Sequence, residues 1–181
     1  MKKPKLFVDM DGVLVEWNIK LGKFAKEIYK PGYFRDRPAY PLVTEAIRQI
    51  IVSGAIEVYS LSAAIDESHV IPDKDHWLSE HIPEIDDKHR IFCRCGENKA
   101  EMVRSVVGKF DESCVLLDDY SINLHDWEKS GGTAVKLLNG INGNNGTWQG
   151  VSVSRFAKDP VELKNKLLTA IVLAMFTNTK L

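Results

Sequence analysis

Apolar positions along this chain switch repeatedly between two periods. Residues 5–8, 55–61, 90–93, 115–117 and 134–138 are short apolar runs that read as strands, and apolar residues recur at helical spacing in most of the segments between them. A helix is expected over residues 16–30, with Trp17, Leu21, Phe24 and Ile28 on one face and Pro31-Gly32 as its stop. Others are expected over 42–52, closed by Gly54, over 76–81, interrupted by Pro83, and over 98–107. Residues 121–129 read as a helical or irregular turn. The last helix is expected from Pro160 to about Phe176, with Asp159 as N-cap, Pro160 in the first position and Glu162 reaching back. Residues 33–41 read as a connection, 62–75 as a loop with some helical content, and 139–146 as a loop rich in Asn and Gly.

Strands separated mainly by helices imply an α/β protein with a mostly parallel five-stranded sheet and helices on both faces. In such a sheet ligands bind beyond the carboxyl ends of the strands, near the switch in strand order. Asp9, Asp11, Ser62, Asp118 and Asp119 all fall at or just past those ends. The 181 residues suit one hydrophobic core, and 44% hydrophobic with 27% charged residues is an ordinary globular composition.

A balance of 24 Lys and Arg against 25 Asp and Glu gives no electrostatic reason to expect polymeric nucleic acid or an anionic membrane as a partner. Cys93, Cys95 and Cys114 have neither the number nor the spacing of a disulfide framework or a zinc site. They are read as two strand fillers and a free loop thiol. The amino terminus moves straight from MKKPK into a strand pattern, and the apolar run 167–176 is too short to span a bilayer. A cytoplasmic protein is expected.

The stretch LFVDMDGVL poses the chemical question, because carboxylates at the edge of a core are costly to bury. Asp9 and Asp11 are one residue apart at a strand end, so both can turn toward one region, and Gly12 lets the chain turn without a side chain in the way. Turn capping explains the bare pair equally well. Adding Asp118 and Asp119 shifts the balance, since four like charges close together repel unless a hard cation joins them. Carboxylates without a His or Cys cluster suit magnesium rather than zinc. In such a site one aspartate can attack phosphorus while a neighbour moves the proton and a lysine stabilises the transferring group.

DMDGV resembles the first motif of the haloacid dehalogenase-like (HAD) phosphohydrolases, and the order of motifs is similar to the 5′(3′)-deoxyribonucleotidase branch over about the first 125 residues. The resemblance implies a three-layer Rossmann-like fold in a single unit over 1–181, with a reduced helical cap at about 16–40. It implies Asp9 as nucleophile and magnesium ligand, and Asp11 as general acid and base with its carbonyl on the metal. In YSLSA it implies Ser62 as the phosphoryl-binding hydroxyl, in GENKAEM Lys99 as the neutralising lysine, and in LLDDY Asp118 and Asp119 as the metal acids. Ser60 competes with Ser62, and Lys74 competes with Lys99 or adds a second substrate contact. In each pair the later residue is preferred.

The expected reaction is magnesium-dependent hydrolysis of a small phosphomonoester through an aspartyl-phosphate, with a nucleoside monophosphate as partner. The resemblance also implies Trp17, eight residues after Asp9, as an aromatic that stacks on a base, though core packing explains it almost as well. Tyr33, Phe34, Arg35 and Arg37 form an aromatic and basic group that could enclose a nucleotide. The short span available for a cap leaves open a non-nucleotide substrate or a non-catalytic metal- and phosphate-binding role. Asn123, His125 and Trp127 are read as local bonding and packing, Trp148 as an anchor, and the 139–146 loop as turn geometry. Oligomeric state is not set by the sequence.

Overall fold

The computed structural model describes residues 3–17, 26–141 and 146–178. Six strands, β1 (Lys5–Val8), β2 (Glu57–Ala64), β3 (Arg90–Arg94), β4 (Cys114–Asp118), β5 (Thr133–Leu138) and β6 (Ser152–Ser154), form one sheet in the order β3-β2-β1-β4-β5-β6. Every pairing is parallel. Helices α1 (Pro41–Ser53), α2 (Val70–His81), α3 (Lys99–Val107), α4 (Ser121–Lys129) and α5 (Pro160–Asn178) accompany it.

Alternation along β1 sends Leu6 and Val8 to one face and Phe7 to the other, and each face has its own core. On the first, Val43, Ile47 and Ile50 of α1 pack with Leu163, Leu167 and Ile171 of α5. On the second, Ala100 and Val103 of α3 meet Leu124 and Trp127 of α4, with Trp148 buried among them. Burying each such aliphatic side chain stabilises by about 1.5–3 kcal/mol, so truncating Ile47, which is fully buried, would cost about 2–5 kcal/mol. Cys93 and Cys114 are buried strand residues and Cys95 is an exposed thiol. Trp148 is an anchor, its Nε1 donating to the Val151 carbonyl at 3.0 Å.

Three sequence expectations need correction. Over 16–30, the helix read from Trp17, Leu21, Phe24 and Ile28 is replaced at its described ends by irregular backbone at 16–17 and a single 3₁₀ turn, Glu27–Tyr29; residues 18–25, with Leu21 and Phe24, lie outside the described residues. The stretch 62–75 is a loop only over 65–69: β2 continues through Ala64, pairing Ser62 with Phe92, and the helical part expected there is the start of α2 at Val70. Pro72 sits in the first turn of α2, where a missing N–H costs nothing. Finally, β6 extends the sheet beyond β5 with only three residues. The final helix is capped as expected: Asp159 Oδ1 accepts from the Glu162 N–H at 2.8 Å, while Glu162 reaches back to the Lys158 N–H.

β1 lies at the centre of the sheet, and the chain runs outward from it on both sides. The crevice at such a reversal is open at the carboxyl ends of the flanking strands. Here those ends belong to β1, β2 and β4. No helix among the described residues is long and apolar enough to cross a membrane.

Candidate active site

Asp9 follows β1 directly, and its N–H donates to the Leu117 carbonyl on β4 at 3.0 Å. Asp118 ends β4, so parallel pairing of Val8 with Leu117 sets Asp9 beside Asp118. Asp119 comes next in the chain. All three are buried, and each offers an oxygen within 4.8 Å of the others.

Lys99 joins two of them. It opens α3, whose N-cap is Asn98 through a 2.8 Å bond from the Ala100 N–H, and its Nζ donates at 2.7 Å both to Asp9 Oδ1 and to Asp118 Oδ2. The acidic loop is braced further. Asp118 Oδ1 accepts from the Tyr120 N–H at 2.8 Å, and Asp118 Oδ2 accepts from Asn123 Nδ2 at 2.9 Å. Asn123 thus supports the loop by gripping an acid directly.

A second lysine grips the turn that follows Asp9. Lys74 projects from α2 and is 1% exposed; its Nζ donates to Asp11 Oδ2 and, at 2.8 Å, to Ser62 Oγ. Val70, Asp73, Lys74, Trp77 and Leu78 are the buried positions of one helical face, a spacing of three, four, seven and eight. That periodicity is the signal by which the sequence could have placed Lys74 inward. Ser60 is also buried, but its Oγ has no hydrogen-bond partner among the described residues and belongs to the sheet interior.

Gly12 makes the turn possible. Its φ of 87° suits glycine, and a Cβ there would stand 2.4 Å from Asp119 Oδ2. Sequence reasoning assigned no site role to Asn139, which follows β5 and donates to both Asp119 and the Gly12 carbonyl. Nothing local marks it, because the contact needs β5 seated beside β4.

Charge in this cluster is unbalanced without a cation. Burial pushes the Asp9 carboxyl up to about 8, against the pull of Lys99, and the Asp118 and Asp11 carboxylates add to the rise. Burial and Asp118 likewise push Asp119 to about 6, with the Asn139 hydrogen bond opposing. For Lys99, burial favours the neutral form but is outweighed by Asp118 and Asp9, which hold it above the usual lysine range. Three clustered carboxylate donors, two of them reluctant to ionise, fit a hard oxygen-seeking divalent cation such as magnesium.

The aromatic group sits next to this rim. Phe34 lies under Lys74, with Nζ 4.7 Å from the ring centroid, and Trp17 stacks on Phe34 at 6.1 Å with Tyr33 edge-on to both. Arg35 is ion-paired with Asp36 at 2.7 Å, and Arg37 donates to the Glu16 carbonyl at 3.0 and 2.6 Å while lying over Tyr33. The structure therefore brings together Asp9, Asp11, Ser62, Lys74, Lys99, Asp118 and Asp119. Trp17 reaches the rim through Phe34, and both arginines are engaged outside it.

No protein-family model matches the chain. A Staphylococcus epidermidis protein named "Putative 5'(3')-deoxyribonucleotidase" is 33% identical over 64 residues, 35% of each chain. A Staphylococcus aureus protein of the same name is 31% identical over 72 residues, 40% of this chain and 39% of the relative. The chain thus matches little more than a third of these relatives' length. Among solved structures, a HAD family hydrolase from Deinococcus radiodurans with bound phosphate and sodium superposes with a TM-score of 0.63 at 12% identity, covering 93% of this chain and 97% of the other. The D,D-heptose 1,7-bisphosphate phosphatase of B. bronchiseptica, complexed with magnesium and phosphate, gives 0.61 at 12% identity, covering 92% and 98%. The chain has the fold of HAD-superfamily hydrolases. In this HAD-type fold the acidic cluster lies at the carboxyl ends of β1 and β4, on the open side of the sheet.

Proposed function

We propose that the protein is a magnesium-dependent phosphomonoesterase acting on a nucleoside monophosphate, a 5′-nucleotide or deoxynucleotide, through an aspartyl-phosphate on Asp9. The observation that carries this reading is the buried cluster of Asp9, Asp118 and Asp119 with Lys99 wedged between two of its members. Asp9, Asp118 and Asp119 would hold the cation, with the Asp11 carbonyl as a further ligand. The bound cation supplies charge neutralisation at the transferring phosphoryl group.

The remaining steps belong to the protein's own groups. Asp9 uses one carboxylate oxygen to form a bond to phosphorus as the ester P–O bond breaks, and the departing oxygen takes a proton from Asp11. Water then attacks the same phosphorus and gives its proton to Asp11, and the Asp9–phosphorus bond breaks to release phosphate. Lys99 holds Asp9 through one oxygen, which leaves the other for attack. Ser62 Oγ accepts from Lys74, so its own O–H is oriented away toward a phosphoryl oxygen. Lys74 fixes Asp11 and Ser62 relative to each other and adds a second cation beside the phosphate.

The nucleotide assignment is supported by the names of the partial relatives and by the aromatic group of Trp17, Tyr33 and Phe34 stacked against Lys74. A sugar phosphate is the competing substrate class. It is favoured by the engagement of Arg35 and Arg37 with Asp36 and Glu16, which leaves neither guanidinium aimed at the acidic rim. Turnover of deoxynucleoside monophosphates and of sugar phosphates, with and without magnesium and with Asp9→Asn as control, tests both points. Hydrolysis by wild type but not Asp9→Asn is expected, with nucleotides preferred; a preference for sugars overturns the substrate class. A folded wild type inactive on the whole panel overturns the phosphatase reading.

A further inference from the structure

The first residue after β5 carries a side chain for which the reaction above has no task. Asn139 is 4% exposed, and all its polar side-chain atoms are committed. Its Nδ2 donates at 2.7 Å to the Gly12 carbonyl and at 2.7 Å to Asp119 Oδ2, while its Oδ1 accepts from the Ile141 N–H at 2.9 Å. Its orientation is fixed by chemistry, because only the amide nitrogen can serve two acceptors and only the amide oxygen can serve the Ile141 N–H. Its backbone carbonyl accepts from Arg155 Nε at 3.1 Å, so the residue is itself held from the β6 side.

Turn formation in the Asn- and Gly-rich loop explains only the bond to Ile141. The other two bonds reach positions 127 and 20 residues away and end on the two parts of the site that must keep a fixed separation. One is the turn that follows Asp9. The other is an acid whose like-charged neighbour, Asp118, would otherwise favour its turning away. Gly12 is shaped to admit this contact, since a Cβ there would lie 3.0 Å from Asn139 Nδ2.

We propose that Asn139 is a positioning residue for the acidic cluster: one amide group pins the Asp119 carboxylate against the Gly12 turn and thereby sets the affinity of the cluster for a divalent cation. This rests on the reading that Asp9, Asp118 and Asp119 hold magnesium. Partners that orient a ligating carboxylate typically contribute about 10- to 100-fold in metal affinity.

The test measures magnesium binding by titration calorimetry on purified full-length protein, without reference to turnover. Asn139→Ala is expected to weaken binding by about tenfold or more in the wild-type background. In an Asp119→Asn background the same substitution is expected to cost less than about twofold, because the group it acts through is no longer a charged ligand. Equal losses in both backgrounds assign Asn139 to general scaffolding and overturn the proposal, as does unchanged affinity in Asn139→Ala. Should Asn139→Ala fail to fold, Asn139→Ser is carried through the same cycle with the same criteria. A folded wild type that binds no magnesium overturns the metal reading itself, an outcome distinct from a wild type that binds and variants that bind equally well.

Discussion

The acidic rim and the aromatic segment beside it are built in opposite ways. At the rim, Asp9, Asp118 and Asp119 come from the ends of adjacent strands, and each is gripped by at least one buried partner, Lys99 or Asn139, with the half-buried Asn123 adding to the hold on Asp118. In the segment ending at Tyr40, turns and irregular backbone carry Tyr33, Phe34, Arg35 and Arg37, and the ties to the rest of the fold include backbone bonds near the segment's end, from the Glu16 N–H to the Pro38 carbonyl and from the Tyr40 N–H to the Leu14 carbonyl, both at 2.8 Å. The Gly32 N–H reaches Asp73 at 2.8 Å, and Trp77 Nε1 reaches the Arg37 carbonyl at 2.8 Å. On the proposed reading the contrast separates two demands: reacting groups need fixed geometry, whereas a surface proposed to select a substrate can ride on a connection.

The largest break in that comparison is expected from Asp9→Asn. Loss of the attacking carboxylate should lower kcat by about 10⁴-fold or more with fold retained, measured as phosphate release at saturating magnesium. A fall of less than tenfold would remove Asp9 from the chemistry.

Lys99→Ala should come next. It strips the cation from between two buried carboxylates, so the metal-free protein should lose about 3–5 kcal/mol in denaturant unfolding. Magnesium should recover part of that loss. An unchanged stability would show that the ion-pair geometry contributes nothing net.

The third expectation concerns pH. The Asp9 and Asp119 carboxyls stand near 8 and 6 in the fold against an ordinary 3.8, so between about pH 4 and pH 8 the unfolded chain gives up protons that the native state keeps. Their contribution is present at low pH and is lost as pH rises through the folded values, so metal-free stability should decline across that window. Magnesium needs the ionised forms and should therefore raise Tm more at pH 8 than at pH 5. Equal gains at the two values would contradict the assigned titrations.

Effects in the aromatic segment should be smaller and of a different kind. Phe34→Leu should raise KM for a nucleotide roughly three- to tenfold with little change in kcat, because the buried ring supports Trp17 beside the rim and is itself no reacting group. A fall confined to kcat would assign Phe34 to the chemistry through Lys74. Arg35→Gln should be smallest, within about 0.5 kcal/mol of stability, since its partner Asp36 is an exposed neighbour in sequence.

The same contrast explains what was legible. β1 and β4 were readable as short unbroken apolar runs, and α1, β3, α3 and α5 because apolar residues recur at the element's period over several residues. The misreadings fall where function or brevity breaks the period. Ser62, Ala63 and Ala64 lack the bulk of strand residues, and Asp73 and Lys74 put charge on the buried face of α2. β6 has one buried apolar residue and no periodicity to detect. Over 26–30 only Ile28 belongs to the apolar series read at helical spacing, and these residues form one 3₁₀ turn, Glu27–Tyr29, with no side-chain cap.

By itself the sequence determined which groups the site is built from: two acids a residue apart after an apolar run, a glycine, a later acidic pair, a hydroxyl and lysines. Those signals are local, because a strand end, a turn and a helix start each leave a mark within a few residues. Only the tertiary structure decided the partnerships. Lys99 reaches Asp9 across 90 positions, Lys74 reaches Asp11 across 63, and Asn139 reaches Gly12 across 127. Those distances are closed by parallel strands laid side by side, and the order of strands in a sheet is a property of how the whole chain buries both faces, which no short window of residues contains.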